Sequence, residues 1–167
     1  MRYYALLITT SILLFSCWSN PRPVDANNEL SIDEVFIEKH IKRHESEMKI
    51  IDSLSTAWSW TPDTIMGGIL LERFGNSDSY SAVGDTVRLN VDVSLVNGNH
   101  CYSNDSLYLV IDRYDGPEAF NEIAKHIGIG DSCSALVPSA MGFGIKGVPG
   151  VVPPGAMILI NASQPND

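Results

Sequence analysis

Apolar and polar residues alternate along several short stretches of this chain. The clearest stretch is Thr86–Val93, where every second residue is a branched aliphatic and polar residues stand between them: Val87, Leu89, Val91 and Val93 against Arg88, Asn90 and Asp92. A period of two is typical of an antiparallel strand with one buried face. Alternation or short apolar runs predict further strands in four places: Leu107–Ile111, Ile65–Arg73, Ser132–Val137 and Met157–Asn161.

Two segments have the spacing of helices instead. An S-x-x-E capping box at Ser31 opens the first, and apolar residues then recur at helical intervals through about Leu54: Ile37, Ile41, Met48 and Ile51. Pro117 suits the first position of a second, shorter helix, which Gly128 would end. We therefore predict an α+β fold, in which a twisted antiparallel sheet of about five strands wraps on a short helix and an amphipathic helix precedes it.

The N-terminus predicts export from the cytoplasm. Ala5–Phe15 is an apolar run behind Arg2, too short to span a bilayer but typical of a signal peptide. The following Ser16-Cys17 resembles the bacterial lipoprotein cleavage box, in which Cys17 would be lipidated and would anchor the protein; the alternative is an ordinary secretory signal. We divide the chain into a signal peptide at 1–16, a flexible tether at 17–30, a helix at 31–56 and a folded domain at 57–164.

Charge and motif content exclude several classes of function. The net charge of −9 argues against binding nucleic acid through its phosphates. No convincing Ser/His/Asp or Cys/His arrangement is present. His40 and His44 stand four residues apart, but neither a third ligand nor a zincin glutamate accompanies them. We therefore expect no metal and no cofactor. Cys101 and Cys133 are either a disulfide pair in an oxidising compartment or two isolated small hydrophobes.

A loop punctuated by glycine and proline leads into the last predicted strand. It runs through Met141-Gly142-Phe143-Gly144 and Gly147-Val148-Pro149-Gly150-Val151-Val152-Pro153-Pro154-Gly155. The prolines exclude helix, and the glycines permit tight reversals. Four of its residues are large and apolar, which is unusual for a loop: Phe143, Val148, Val151 and Val152. Such a loop either plugs into its own core or forms the rim of an apolar pocket.

Several motifs, in this order, resemble those of the FKBP-type peptidyl-prolyl isomerases: Gly84-Asp85-Thr86-Val87, Gly130-Asp131, Pro138-Ser139, Phe143-Gly144 and Val151-Val152-Pro153-Pro154. The charged helix, Trp60 and Gly68-Ile69-Leu70 resemble the N-terminal arm of lipoprotein members from Bacteroidota. The resemblance spans roughly residues 57–163, with weaker support back to residue 31. It implies an apolar site that turns X-Pro bonds without nucleophile, metal or cofactor.

The resemblance also implies roles for particular residues. The implied catalytic residues are Phe120 as the aromatic floor, Phe143, Val151, Val152, Ile160 and Tyr102. The implied substrate-binding residues are Val91, Leu107, Leu109, Pro117 and Val148. Three of these depart from the family pattern. Phe143 stands where the family has tyrosine, Tyr102 stands near its aspartate, and Pro117 has no N–H to offer a ligand.

These departures leave alternatives open. The chain is either a lipid-anchored prolyl isomerase, weakened by its altered pocket, or a catalytically inactive FKBP-like domain that binds peptide or protein. On either hypothesis it would face the periplasm from the cell envelope, and its partners would be exported proteins with X-Pro bonds or extended segments. A third, structural hypothesis is that the N-terminal helix dimerises the protein through its apolar stripe.

Overall fold

The structure is a computed structural model that describes residues 32–113 and 116–166. The predicted signal peptide at 1–16, the lipid-bearing Cys17 and the tether at 17–30 lie outside the described residues. Within the described ranges, no helix combines the length and the apolar character that crossing a bilayer requires. Residues 36–167 form one compact unit, to which the first described residues, 32–35, do not belong.

Within the described residues, six strands form one antiparallel sheet in the order β1-β2-β5-β6-β3-β4. The strands are β1 (Asp63–Ile65), β2 (Ile69–Phe74), β3 (Thr86–Leu95), β4 (His100–Val110), β5 (Ser132–Val137) and β6 (Ile158–Ser163). The helices are α1 (Ile32–Ala57) and α2 (Glu118–His126). The predicted α+β class is confirmed, with six strands where about five were expected.

The extra strand comes from a reversal that the apolar pattern conceals. The single strand predicted over Ile65–Arg73 is wrong, because a short 3₁₀ turn, Met66–Gly68, separates β1 from β2. Gly67 and Gly68 have φ angles of 70° and 78°, which favour glycine. A Cβ atom on Gly67 would also lie 2.2 Å from the sulfur of Met141, so a side chain there would displace the Met141 side chain.

The alternation along β3 is confirmed as an inward face. Val87, Leu89, Val91 and Val93 are at most 4% exposed. They pack in one cluster with the apolar face of α2 and with Ile158 and Ile160 of β6. Burying a side chain of this size contributes about 1.5–3 kcal/mol each, so this face supplies much of the stability of the domain.

The two helices cover opposite faces of the sheet. Ile69 and Leu71 belong to the cluster that includes α2, whereas Leu70 between them packs with Leu136 and Ile51 of α1. Successive residues of a strand point to opposite faces, which explains the division. The apolar stripe of α1 is therefore split: Ile51 is fully buried, while Ile37 and Ile41 are 58% and 53% exposed. Dimerisation through this helix stays a prediction.

A buried ion pair fixes the loop between β2 and β3. Asp131 is 3% exposed, and its carboxylate accepts hydrogen bonds from Arg73 Nε at 2.7 Å and from the backbone N–H groups of Ser77 and Gly128, each at 3.2 Å. Burial raises the pKa of the Asp131 carboxyl, but these bonds and the Arg73 charge outweigh burial, so its pKa lies below the ordinary 3.8. The predicted Gly130-Asp131 turn is thus also an anchor.

Cys101 and Cys133 are both free thiols, so they do not form a disulfide with each other. Cys133 lies in the core, where burial raises the pKa of its thiol to about 12. Of the two alternatives left open by the sequence, the structure has isolated thiols, and Cys133 is the small buried hydrophobe.

Candidate functional site

A cavity of about 320 Å³ lies between β4 and the start of α2. Its volume falls in the range of small ligand sites. Five residues predicted from the resemblance line it: Tyr102, Leu107, Leu109, Pro117 and Phe120. Of the described lining residues, none is a carboxylate, cysteine, serine or histidine. Its aromatic and aliphatic side chains can hold an apolar group, and Thr86, Asn104, Arg113 and Asn121 add polar atoms to the wall.

Three aromatic rings pack together beside this cavity; Phe120 and Tyr102 line it, whereas Phe143 contacts both rings without lining it. The ring centroids of Phe143 and Phe120 are 6.5 Å apart at an interplanar angle of 75°, and those of Phe143 and Tyr102 are 6.1 Å apart at 73°. Both pairs are edge-to-face, the favoured geometry for aromatic neighbours. Phe120 is 6% exposed and Phe143 is half-buried at the centre of the group. We refer to Phe120, Phe143 and Tyr102 as the aromatic cluster.

The hydroxyl of Tyr102 does not replace an acidic side chain. Burial raises the pKa of its phenol above the ordinary value of 10.0. The phenol is therefore neutral at physiological pH and offers a weak donor rather than a negative charge. Together with the missing hydroxyl of Phe143, this leaves the aromatic cluster almost wholly apolar.

Local backbone hydrogen bonds close the segment Gly147–Gly155, which we call the valine loop, into a tight turn. Val148 and Val152 exchange backbone hydrogen bonds, each 2.8 Å long. Val152 is 2% exposed and belongs to the same cluster as Phe120, and Val148 packs against that cluster. Val151 is 41% exposed at the tip of the turn. Gly147 is required here, because its φ is 62° and a Cβ atom would lie 2.3 Å from the carbonyl oxygen of Val152.

Two of the residues to which the resemblance assigns a role lie deeper in the domain than the cavity. Val91 and Ile160 are 3% and 0% exposed in the main cluster, and neither lines the cavity between β4 and α2. Their role as substrate contacts stays a prediction, as does that of Val151. Pro117, by contrast, lines the cavity. The sequence predicted it as the first residue of α2, but it is the N-cap, and the helix begins one residue later.

Sequence reasoning missed seven residues of the cavity wall: Thr86, Asn104, Tyr108, Val110, Arg113, Gly116 and Asn121. Tyr108 and Asn104 occupy positions of β4 that the alternation assigns to solvent, and Tyr108 is 65% exposed. Asn121 is 5% exposed and holds the chain beside the cavity: its Oδ1 accepts from Asp112 N–H at 2.7 Å, and its Nδ2 donates to Arg113 O at 3.0 Å. A polar residue directly after Phe120, inside an apolar helix face, was the available signal.

No group of three or more His, Cys, Asp or Glu side chains comes together within residues 32–113 and 116–166. His40 and His44 are exposed on α1, away from the aromatic cluster.

The six-stranded antiparallel sheet, with α2 packed on one of its faces, has an FKBP-like α+β fold. The fold is similar to the crystal structure of a peptidyl-prolyl cis-trans isomerase from Pseudomonas syringae pv. tomato, with a TM-score of 0.58 and 13% sequence identity. The match covers 73% of this chain and 93% of that one. No family model and no curated protein sequence matches this chain. At this identity the likeness establishes the fold, and the function has to be argued from the site.

Proposed function

We propose that this protein is a peptidyl-prolyl cis-trans isomerase whose substrate proline enters the cavity between β4 and α2. The observation that carries the proposal is the aromatic cluster, two of whose rings, Phe120 and Tyr102, line that cavity, on a fold shared with a peptidyl-prolyl isomerase. Phe120 would form the floor under the prolyl ring, and Phe143 would present its edge to the amide.

The proposed mechanism needs only differential binding. Rotation about an X-Pro bond is slow because the amide must lose its resonance, and a twisted amide is less charge-separated than a planar one. An apolar cavity that excludes water therefore stabilises the twisted amide relative to the solvated ground state. The aromatic and aliphatic lining residues suit this mechanism, and the polar Thr86, Asn104, Arg113 and Asn121 border them.

A proline-limited refolding assay tests the catalytic part of the proposal. The full-length protein should accelerate the slow refolding phase of a substrate protein in proportion to its concentration. An unchanged slow phase, even at high protein concentration, would remove isomerase activity from the proposal.

The first variant tests whether activity is limited by the hydroxyl that Phe143 lacks. Phe143→Tyr would place a phenol at the centre of the aromatic cluster, where it can donate to a substrate carbonyl. One added hydrogen bond is worth about 1 kcal/mol, so we expect a roughly fivefold rise in kcat/KM. Phe74→Tyr is the matched control, because Phe74 is half exposed on β2 and lies outside the aromatic cluster to which Phe143 belongs. An active wild type that gains nothing from Phe143→Tyr would contradict this role for Phe143.

A second candidate function is peptide binding without catalysis. The specific observation in its favour is the start of α2, where Pro117 caps the helix beside the cavity and has no N–H to give a substrate. Calorimetric titration with an extended X-Pro peptide separates the two candidates. Measurable binding without accelerated isomerisation, in the wild type and in Phe143→Tyr, would favour the binding module. Absence of binding would count against both.

We further propose that lipid on Cys17 holds the domain in the bacterial envelope, facing the periplasm, where exported proteins would be its partners. The support is the lipoprotein-like sequence at Ser16-Cys17. In cells fed a labelled fatty acid, the wild type should carry label and fractionate with membranes, whereas Cys17→Ala should do neither. A wild type without label would leave the ordinary secretory signal as the explanation.

A further inference from the structure

A buried carboxylate connects α1 to the loop that carries Phe143. Glu47 is 7% exposed, although it lies on a helix whose neighbouring charged residues face solvent. Its Oε2 accepts a hydrogen bond from the backbone N–H of Ser139 at 2.8 Å, and its Oε1 accepts one from Ser139 Oγ at 2.7 Å. Burying a carboxylate is costly unless such bonds compensate it. Both oxygens are therefore committed to one residue, 92 positions along the chain.

Ser139 is in turn the first residue of a bonded network around the candidate site. Its carbonyl oxygen accepts from the N–H of Gly144 at 2.8 Å, directly after Phe143. The carbonyl of Gly144 accepts from Gly155 N–H at 3.0 Å, which ties this turn to the end of the valine loop. The carbonyl of Met141 accepts from Ala119 N–H at 3.0 Å, which ties it to the start of α2 beside Phe120. The backbone beside Phe143, the end of the valine loop and the start of α2 are thus all hydrogen-bonded to the turn that begins at Ser139.

The same helix also approaches the end of the valine loop directly. A Cβ atom on Gly155 would lie 2.6 Å from a guanidinium nitrogen of Arg43, one helical turn before Glu47. Gly155 has a φ of 65°, so the backbone conformation favours glycine there, and a Cβ atom would displace the end of the Arg43 side chain. The helix therefore touches both loops that surround the aromatic cluster.

From these contacts we infer that Glu47 is a positioning residue: its carboxylate fixes the Ser139 turn and thereby orients Phe143 in the aromatic cluster. This inference deepens the proposed function and rests on it as far as substrate binding is concerned. Two donors on one carboxylate fix both the place and the direction of Ser139. A glutamine could keep both contacts only with the Ser139 hydroxyl turned round to accept from its N–H₂, and two charge-assisted hydrogen bonds would become two weaker neutral ones.

The experiment compares Glu47→Gln, Ser139→Ala and the double variant with the wild type in the full chain. Glu45→Gln is the matched control, because Glu45 is exposed on the same helix and undergoes the same change of charge. Amide hydrogen exchange is measured at Ala119, Gly144 and Gly155, with the amides of β3 as an internal reference. The affinity for an X-Pro peptide is measured in parallel. Ser139→Ala keeps the backbone bond, so it is the milder variant if Glu47→Gln folds poorly.

We expect exchange at the three network amides to become on the order of tenfold faster in Glu47→Gln, with β3 unchanged, and peptide affinity to fall about tenfold. The two substitutions should be non-additive, because each disturbs the same contact. Unchanged exchange at the three amides, or equal acceleration in β3, would overturn the positioning role. A wild type that neither binds nor turns over X-Pro peptides would refute the proposed function alone, since the exchange result would still decide the role of Glu47.

Discussion

Replacing Phe120 with alanine is expected to lower the free energy of unfolding by about 3–5 kcal/mol and to eliminate peptide binding. The ring is 6% exposed and belongs to the main hydrophobic cluster, and it also forms the floor of the cavity beside α2. Its removal would leave a void that close-packed neighbours cannot fill, and the edge-to-face contact with Phe143 would be lost. Chemical denaturation measures the first effect, and titration with an X-Pro peptide measures the second.

Two further variants separate stability from recognition. Phe120→Leu keeps most of the buried volume but removes the aromatic face, so we expect a folded protein with roughly tenfold weaker peptide binding. Phe74→Ala removes an aromatic ring that is 50% exposed and lies outside the cavity, and it should leave affinity unchanged. If Phe120→Leu bound peptide as tightly as the wild type, the floor role of this ring would be wrong.

Asp131→Asn is expected to destabilise the domain by about 2–3 kcal/mol, the second largest effect. The amide cannot serve both Arg73 and the two backbone donors, and it leaves the guanidinium charge without its partner. We place the loss at the lower end for a buried pair because the Arg73 side chain is still 24% exposed and partly solvated. Asp78→Asn, an exposed aspartate in the same loop, is the control and should unfold like the wild type.

The same carboxyl makes stability depend on acid pH. The pKa of Asp131 is lower in the folded state than the 3.8 of an unperturbed aspartate, so the folded form holds its proton less tightly. Its contribution is therefore complete above that value and is lost as the pH falls below it. Denaturation curves recorded on both sides of pH 3.8 should converge for wild type and Asp131→Asn at the acid end. A difference that stays constant with pH would contradict this linkage.

The sequence pattern predicted those strands in which local alternation of apolar and polar residues determines which side chains are buried. The inward face of β3 follows from its alternation, because one side of that strand is buried along its whole length. The split between β1 and β2 was missed since Gly67 and Gly68 stand inside an apolar run, where glycine predicts a weak strand as readily as a reversal.

The candidate site was predictable only in its apolar part. Phe120 and Phe143 carry a family resemblance, and the structure brings their rings together. Glu47 gave no signal, because a glutamate among charged helix residues has the pattern of a solvated face. Only the fold places it against a serine from the other end of the chain. The apolar stripe of α1 was visible in the sequence, but periodicity says which face is apolar and not what covers it.

The division of the sheet between two helices limits how this protein can be cut. Leu70 and Leu136 are covered by Ile51, and the half-buried Leu159 and Met157 pack at the same place. An expression fragment that started at residue 57 would expose this hydrophobic surface to solvent and would tend to aggregate. The helix is thus an integral part of the folded unit, and soluble fragments should begin ahead of residue 32.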